Sequence, residues 1–233
     1  MRKTYFDYYG KYAAETPDKV LLRIDENTLT YREFMEMTAR LGSGMQKLGI
    51  KPNDKVGIIM PNSIEWYLVY WAAIRIGAQP VPMDPQSGSL ELSRLIPATT
   101  VKICFLAERY RNNRIIDAVS ALVPGQLSQD KCICFAPQEA LPADPVFITE
   151  DTFLRDYCGM ECAPFTPEPE HTMSLACTSG STGTLVTVGS DGRAYGELAL
   201  DGQTLAMAAQ GKTIAVLTTN AIYTTDRNLT SYT

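Results

Sequence analysis

Apolar positions follow two alternating rhythms as far as about residue 183, and only one beyond it. Tyr31, Phe34, Met35, Thr38, Leu41, Met45 and Leu48 recur at three and four, which lines one face of a helix over Tyr31–Leu48. Thr30 with Glu33 has the capping-box pattern at its start, and Gly49 stops it. Val56–Met60 is a short, continuous apolar run, as expected of a strand buried on both faces. Asn62-Ser63 then caps Ile64–Ile76, which is apolar nearly all round and so predicts a largely buried helix. Further helices are expected at Asp7–Ala14, Leu90–Ile96 and Arg111–Leu122. Further strands are expected at Gln79–Met83, Val101–Leu106, Lys131–Phe135, Val146–Ile148 and Met173–Thr178, with an early hairpin from Val20–Ile24 and Thr28–Thr30. Strands and helices alternating at this spacing imply right-handed crossovers. The expected fold class for residues 1–183 is therefore α/β, a mostly parallel sheet covered by helices.

Beyond Gly183 the helical rhythm stops. Thr184–Gly189, Ala194–Leu200, Thr204–Ala209, Thr213–Thr218 and Ala221–Thr225 are short β-prone runs separated by turn residues such as Asp201-Gly202 and Gln210-Gly211. That punctuation predicts a small antiparallel β-meander. Composition marks the same seam: all fourteen prolines, both tryptophans and all six cysteines precede it, whereas the last fifty residues hold ten threonines. Two units are expected, 1–183 and 184–233.

Charge and cysteine content narrow the chemistry. Lys plus Arg (21) against Asp plus Glu (26) leaves a net charge of −5, so no basic field exists to neutralise phosphates and nucleic-acid binding is not expected. The longest apolar stretch, Ile64–Ala78, is too short to span a bilayer and carries Glu65 and Arg75. The Met1-Arg-Lys start has no signal-peptide core, so a cytoplasmic chain is expected. The cysteines show no C-x-x-C pair, which argues for reduced structural thiols and against a metal site. Cys132 and Cys134 alternate in a strand and should share one face. His171 is the only histidine and comes after a Pro-rich linker, so a Ser-His-Asp or Cys-His mechanism is not expected. Tyr5, Phe6, Tyr8, Tyr9 and Tyr12 read as an aromatic cluster packing an amino-terminal helix onto the body.

Chemistry concentrates in one hexapeptide, Thr178-Ser179-Gly180-Ser181-Thr182-Gly183, directly after the apolar run Met173–Cys177. Glycines let backbone amides approach an anion, and hydroxyls donate to phosphate oxygens. Taken alone, the same composition describes a flexible Gly/Ser turn. It does not occur alone. The loop resembles the phosphate-binding signature T-S-G-S-T-G-x-P-K of the adenylate-forming (AMP-binding) superfamily, which includes acyl-CoA synthetases. Leu29-Thr-Tyr-Arg-Glu-Phe34, Leu48–Val56, Met60-Pro-Asn-Ser-Ile-Glu65 and Ile76–Pro85 look like that family's amino-terminal blocks, in order and in register. The resemblance implies a ligase that joins a small carboxylate to AMP from Mg-ATP and passes the acyl group to a thiol such as CoA. It also implies that Thr178, Ser179, Gly180, Ser181, Thr182 and Gly183 bind the phosphates.

The chain departs from that pattern just after the loop. Thr184-Leu185-Val186 stand where the family has x-Pro-Lys, so the loop lysine is missing. The later acidic motif, the ribose-binding aspartate and the domain with the catalytic lysine are absent from these 233 residues. A truncated, chimeric ligase fragment that does not turn over is therefore expected, with self-association through exposed apolar surface or a β edge. The alternative is a non-catalytic binding or interaction module with an exposed β edge. The tail resembles β-propeller blades, weakly, through Leu198–Ala206 and Gly211–Tyr223. Ala206–Thr213 nearly satisfies a P-loop template, but Ile214–Leu217 directly after it is strand-like, and a P-loop must open a helix.

Overall fold

A computed structural model of the chain describes residues 4–123, 127, 131–137, 141, 147–163, 165–168, 171–175, 184–188, 194–201, 204–210, 213–218, 221–226, 228 and 229. In chain order the elements are α1 (Tyr5–Glu15), β1 (Val20–Ile24), β2 (Asn27–Thr30), α2 (Tyr31–Lys47), β3 (Lys55–Ile59), α3 (Ile64–Arg75), β4 (Gln79–Pro82), α4 (Ser89–Thr99) and β5 (Val101–Ala107). They continue with α5 (Ile115–Ser120), β6 (Cys132–Phe135), β7 (Ile148–Thr149) and α6 (Glu150–Thr152), which widens into a π-helical turn over Phe153–Tyr157. The tail supplies β8 (Thr184–Val188), β9 (Ala194–Ala199), β10 (Thr204–Gln210), β11 (Thr213–Thr218) and β12 (Ile222–Asp226).

Five strands form a parallel central sheet in the order β4-β3-β5-β6-β7. Alternation along each strand divides its side chains between two cores. Val56, Ile58, Ile103, Phe105 and Ile133 face α2 and α3. Ile59, Cys104, Leu106, Cys132 and Cys134 face α4 and α5, so the two neighbouring cysteines do share a face. Burial on both sides explains why β3 reads as a continuous apolar run.

Local chemistry sets the helix starts. Thr30 N–H donates to Glu33 Oε2 at 2.8 Å while Glu33 N–H donates back to Thr30 Oγ1 at 3.3 Å. Thr4 and Asp7 repeat the box on α1, and Ser63 Oγ accepts from Trp66 N–H at 3.1 Å on α3. Tyr5, Phe6 and Tyr9 of α1 pack around Trp71, with Tyr9 also against Phe34; Tyr8 and Tyr12 stay exposed. Among the described residues, no helix is long and apolar enough to cross a membrane.

The tail is antiparallel, as its turns predict, but the five runs divide into two sheets, β8-β9 and β10-β11-β12. β10 packs along α4, and Leu198, Leu200, Met207, Ile214, Val216 and Leu229 join the core beneath it. The near-P-loop sequence is the β10–β11 hairpin, with Gln210 paired to Thr213. A strand stands where a P-loop would need a helix.

Several expected elements have different bounds, three of them instructively. The helix foreseen over Arg111–Leu122 is confined to Ile115–Ser120. Arg111 has φ +53° inside a two-residue turn closed by mutual backbone bonds between Tyr110 and Asn113. The Asn113 amide then donates to the carbonyls of Pro85 (2.9 Å) and Ser87 (3.2 Å), contacts that helical periodicity does not register. The strand expected at Val146–Ile148 is Ile148–Thr149, and Val146 lies outside the described residues. α4 runs beyond Ile96 through Pro97 to Thr99, because a proline in the last turn removes only one intrahelical bond before Thr100 ends the helix in the left-handed region.

Candidate functional site

Thr178, Ser179, Gly180, Ser181, Thr182 and Gly183 lie outside the described residues. Their approach and their exit are described. After the π-helical turn at the far edge of the sheet, the chain crosses α2 and α3 as a strap and reaches the opposite edge at β4.

Small residues on the helices seat the strap. Gly159 N–H donates to Ser43 Oγ at 2.7 Å, and Ala163 and Gln46 exchange two hydrogen bonds of 2.9 and 3.3 Å. A Cβ on Gly42 would lie 3.3 Å from Cys162 Sγ, and one on Gly44 2.7 Å from Cys158 Sγ. Gly77, with φ +77°, ends α3 and receives the Phe165 ring; any Cβ there would lie 2.7 Å from that ring. The His171 ring lies 4.8 Å from that of Phe165. Burial pushes the His171 pKa down, partly offset by its hydrogen bond to the Gly77 backbone. Ser174 Oγ (3.1 Å) and Leu175 N–H (3.2 Å) then donate to the Pro80 carbonyl.

His171 at Gly77 and Leu175 at Pro80 advance in the same direction as β4. The segment Met173–Leu175 thus runs beside the sheet edge towards the loop without completing a ladder, and residues 176–178 of the expected strand lie outside the described residues. At the loop's exit, Thr184 enters β8 directly and pairs with Ala199 of β9.

A concavity lies at the carboxyl ends of the strands. β3 leads to β4 on one side of it and β5 returns on the other, so β3 and β5 flank a switch in strand order, where open α/β sheets hold ligands. The crevice there is about 190 Å³ and includes Met60, Ser63, Glu65, Glu108, Arg109 and Ala136 in its lining. Glu108 is 3% exposed, with Oε1 3.9 Å from Arg109 Nε. Glu150 nearby accepts from Ala136 N–H at 3.0 Å, and burial, then Glu65 and Asp151, push its carboxyl up against that bond. Burial, then Glu108 and Glu150, push the Cys134 thiol up to about 12. Glu65 and Glu108 outnumber Arg109 in the lining, a charge balance that opposes the phosphates of a nucleotide. Among the described residues, no group of three His, Cys, Asp or Glu side chains is arranged to hold a metal ion. Neither the strap nor the carboxylates showed in the sequence periodicity; a charged residue directly after a buried strand, as Glu108 stands after β5, is the signal that was there.

A family model described as AMP-binding enzyme matches residues 10–185. The chain belongs to the AMP-binding enzyme family. The match ends two residues after Gly183, where the composition changes. Tyrocidine synthase 3 of Brevibacillus parabrevis is 29% identical over 147 residues, covering 63% of this chain and 2% of that protein. The 2,3-dihydroxybenzoate-AMP ligase of Bacillus subtilis strain 168 is 26% identical over 159 residues, covering 64% and 29%. The crystal structure of the anthranilate CoA ligase AuaEII in complex with anthranoyl-AMP superposes with a TM-score of 0.65 at 16% identity, covering 80% of this chain and 34% of that one. That likeness concerns the fold. The chain spans about a third or less of the length of these proteins.

Proposed function

We propose that residues 1–183 form the amino-terminal part of an ATP-dependent carboxylate-activating ligase site. In this reading Thr178, Ser179, Gly180, Ser181, Thr182 and Gly183 hold the β- and γ-phosphates of Mg-ATP, and CoA is the co-substrate that takes the acyl group. The observation that carries it is the family's loop sequence, in a chain whose described segment leads to that loop along the edge of β4. Glycine amides and four hydroxyls fit a phosphate; the crevice with two glutamates in its lining does not.

The segment from Thr184 onward is of separate descent, and these 233 residues by themselves do not complete adenylation. Thr184-Leu185-Val186 put a β-strand where the family's loop lysine would stand, which removes the point charge that neutralises the leaving phosphates. What remains are charge-assisted hydroxyl and amide bonds, each on the order of 1–3 kcal/mol. The expected result for the 233-residue chain is weak, saturable Mg-ATP binding that disappears when Gly180 and Gly183 are both replaced by Leu, with no ATP–pyrophosphate exchange. Sustained exchange would overturn the claim of inactivity, and binding indifferent to both substitutions would overturn the phosphate assignment. A cytoplasmic setting is part of this reading, supported by the five described cysteines all being free thiols.

One observation favours a second reading, that of an interaction module: Ile222 is 66% exposed on β12, an outer strand of its sheet. Concentration-dependent association in sedimentation that Ile222→Lys abolishes would support it, and a monomer at all concentrations would rule it out.

A further inference from the structure

We propose that the cavity enclosed by α1, the last turn of α3 and the strap is a binding site for a small, single-ring aromatic carboxylate. It measures about 200 Å³, and its lining includes Tyr5, Phe6, Arg75, Phe165, His171 and Met173. An apolar cavity of about 150 Å³ admits benzene, so the space suits one ring with one substituent.

Charge selects the kind of ring. Arg75 is held rigidly: Nη1 donates to the Met35 carbonyl at 3.2 Å and to Thr38 Oγ1 at 3.1 Å, and Cζ lies 5.0 Å from the centre of the Phe6 ring. Those bonds use one nitrogen. Nε and Nη2 make no hydrogen bond among the described residues, and a planar guanidinium with a donor edge to spare is matched by a carboxylate. The described lining contains no Asp or Glu, in contrast to the crevice at the other end of the sheet. His171 adds one polar point. Burial favours its neutral form and Gly77 engages one ring nitrogen, which leaves the other for a ring substituent of the ligand. Aromatic rings on the walls supply faces and edges for stacking.

The site is independent of the proposed ligase function. It adjoins Gly77 at the amino end of β4, whereas the glycine loop lies further along the chain after Leu175 has reached Pro80. No residue of that loop is needed to hold the ring or its carboxylate.

The test is an NMR titration of the 233-residue chain with benzoate and, separately, with neutral benzamide, observing the His171 ring and the Arg75 Nε–H resonances. Benzoate should shift both saturably and bind about tenfold more tightly than benzamide, the difference one charge-assisted pair makes. Arg75→Gln should erase that preference. Because Arg75 also ties α3 to α2, Pro167→Trp serves as a second variant; it fills the mouth from the half-buried strap and should abolish binding of both probes. Binding should persist in the Gly180→Leu, Gly183→Leu chain and in the presence of Mg-ATP. The proposal is overturned if the two resonances do not move, if benzamide binds as tightly as benzoate, or if Pro167→Trp leaves binding intact. If Mg-ATP or the glycine substitutions displace benzoate, the ligand belongs to the ligase site instead and this assignment also fails.

Discussion

The two faces of the central sheet are covered by different means. On one, α2 and α3 lie directly on Ile58, Phe105 and Ile133, and α1 closes over them through Tyr5, Phe6 and Tyr9 around Trp71. Those three helices are near neighbours in the chain, and the later π-helical turn and strap add Phe153 and Cys162 to the same core. On the other, α4 and α5 cover Cys104, Leu106 and Cys132, and β10, from more than a hundred residues later, packs along α4. A ligase fragment is expected to leave that surface bare. Here the tail occupies it: Leu198, Met207, Ile214 and Val216 are part of the same core as Leu92, Ile96 and Val119. The lesson is one of degree: the α2–α3 layer is closed chiefly by its neighbour α1 with a late strap added, whereas the thinner α4 layer takes its cover from the end of the chain.

The comparison breaks most decisively at Val216, which is fully buried in β11. Val216→Asp places an unpaired carboxylate there and should cost on the order of 5 kcal/mol. Hydrogen exchange should then show protection lost in β10–β12 and α4 but kept in α2 and α3; equal loss on both faces would mean that the tail is integral to the whole body. Phe34→Ala reverses the experiment. Phe34 is fully buried against Phe6, Tyr9 and Trp71, and removing its ring should cost roughly 4 kcal/mol in urea unfolding, with early exchange in α1 and α2 only.

A smaller effect tests the strap on the α2–α3 face. His171 binds a proton less readily folded than unfolded, because burial depresses its pKa. Stability is therefore fully present above the ordinary histidine value near 6.5 and is lost as pH falls from there through the depressed folded value. The half-exposed position limits the effect to below about 1 kcal/mol. Urea midpoints between pH 5 and 8 should show a downward slope towards acid that His171→Gln flattens; an unchanged slope would place the titration elsewhere.

Much of this was readable from residue order. Tyr31–Leu48 carried its period, its Thr30–Glu33 box and its Gly49 stop, all local devices, and α2 matches them almost to the residue. The turn at Tyr110–Asn113 was not readable, because Asn113 is fixed by carbonyls of Pro85 and Ser87 that are distant in sequence. The glycine loop was recognisable as a string of residue types. The cavity beside Arg75 was not, since Phe6, Arg75 and Phe165 meet only when α1, α3 and the strap are packed together.

Sequence by itself determined what short-range chemistry can encode: the alternation of strand and helix, the capped starts of α2 and α3, the family and the change of composition after Gly183. Tertiary structure decided which surfaces cover one another. It put the late strands on α4, routed the strap across α2 and α3 to the edge of β4, and made the switch-point crevice acidic. The reason is one of range. Periodicity and caps act within a turn or two of chain, whereas burial and charge depend on neighbours that only the folded chain brings close.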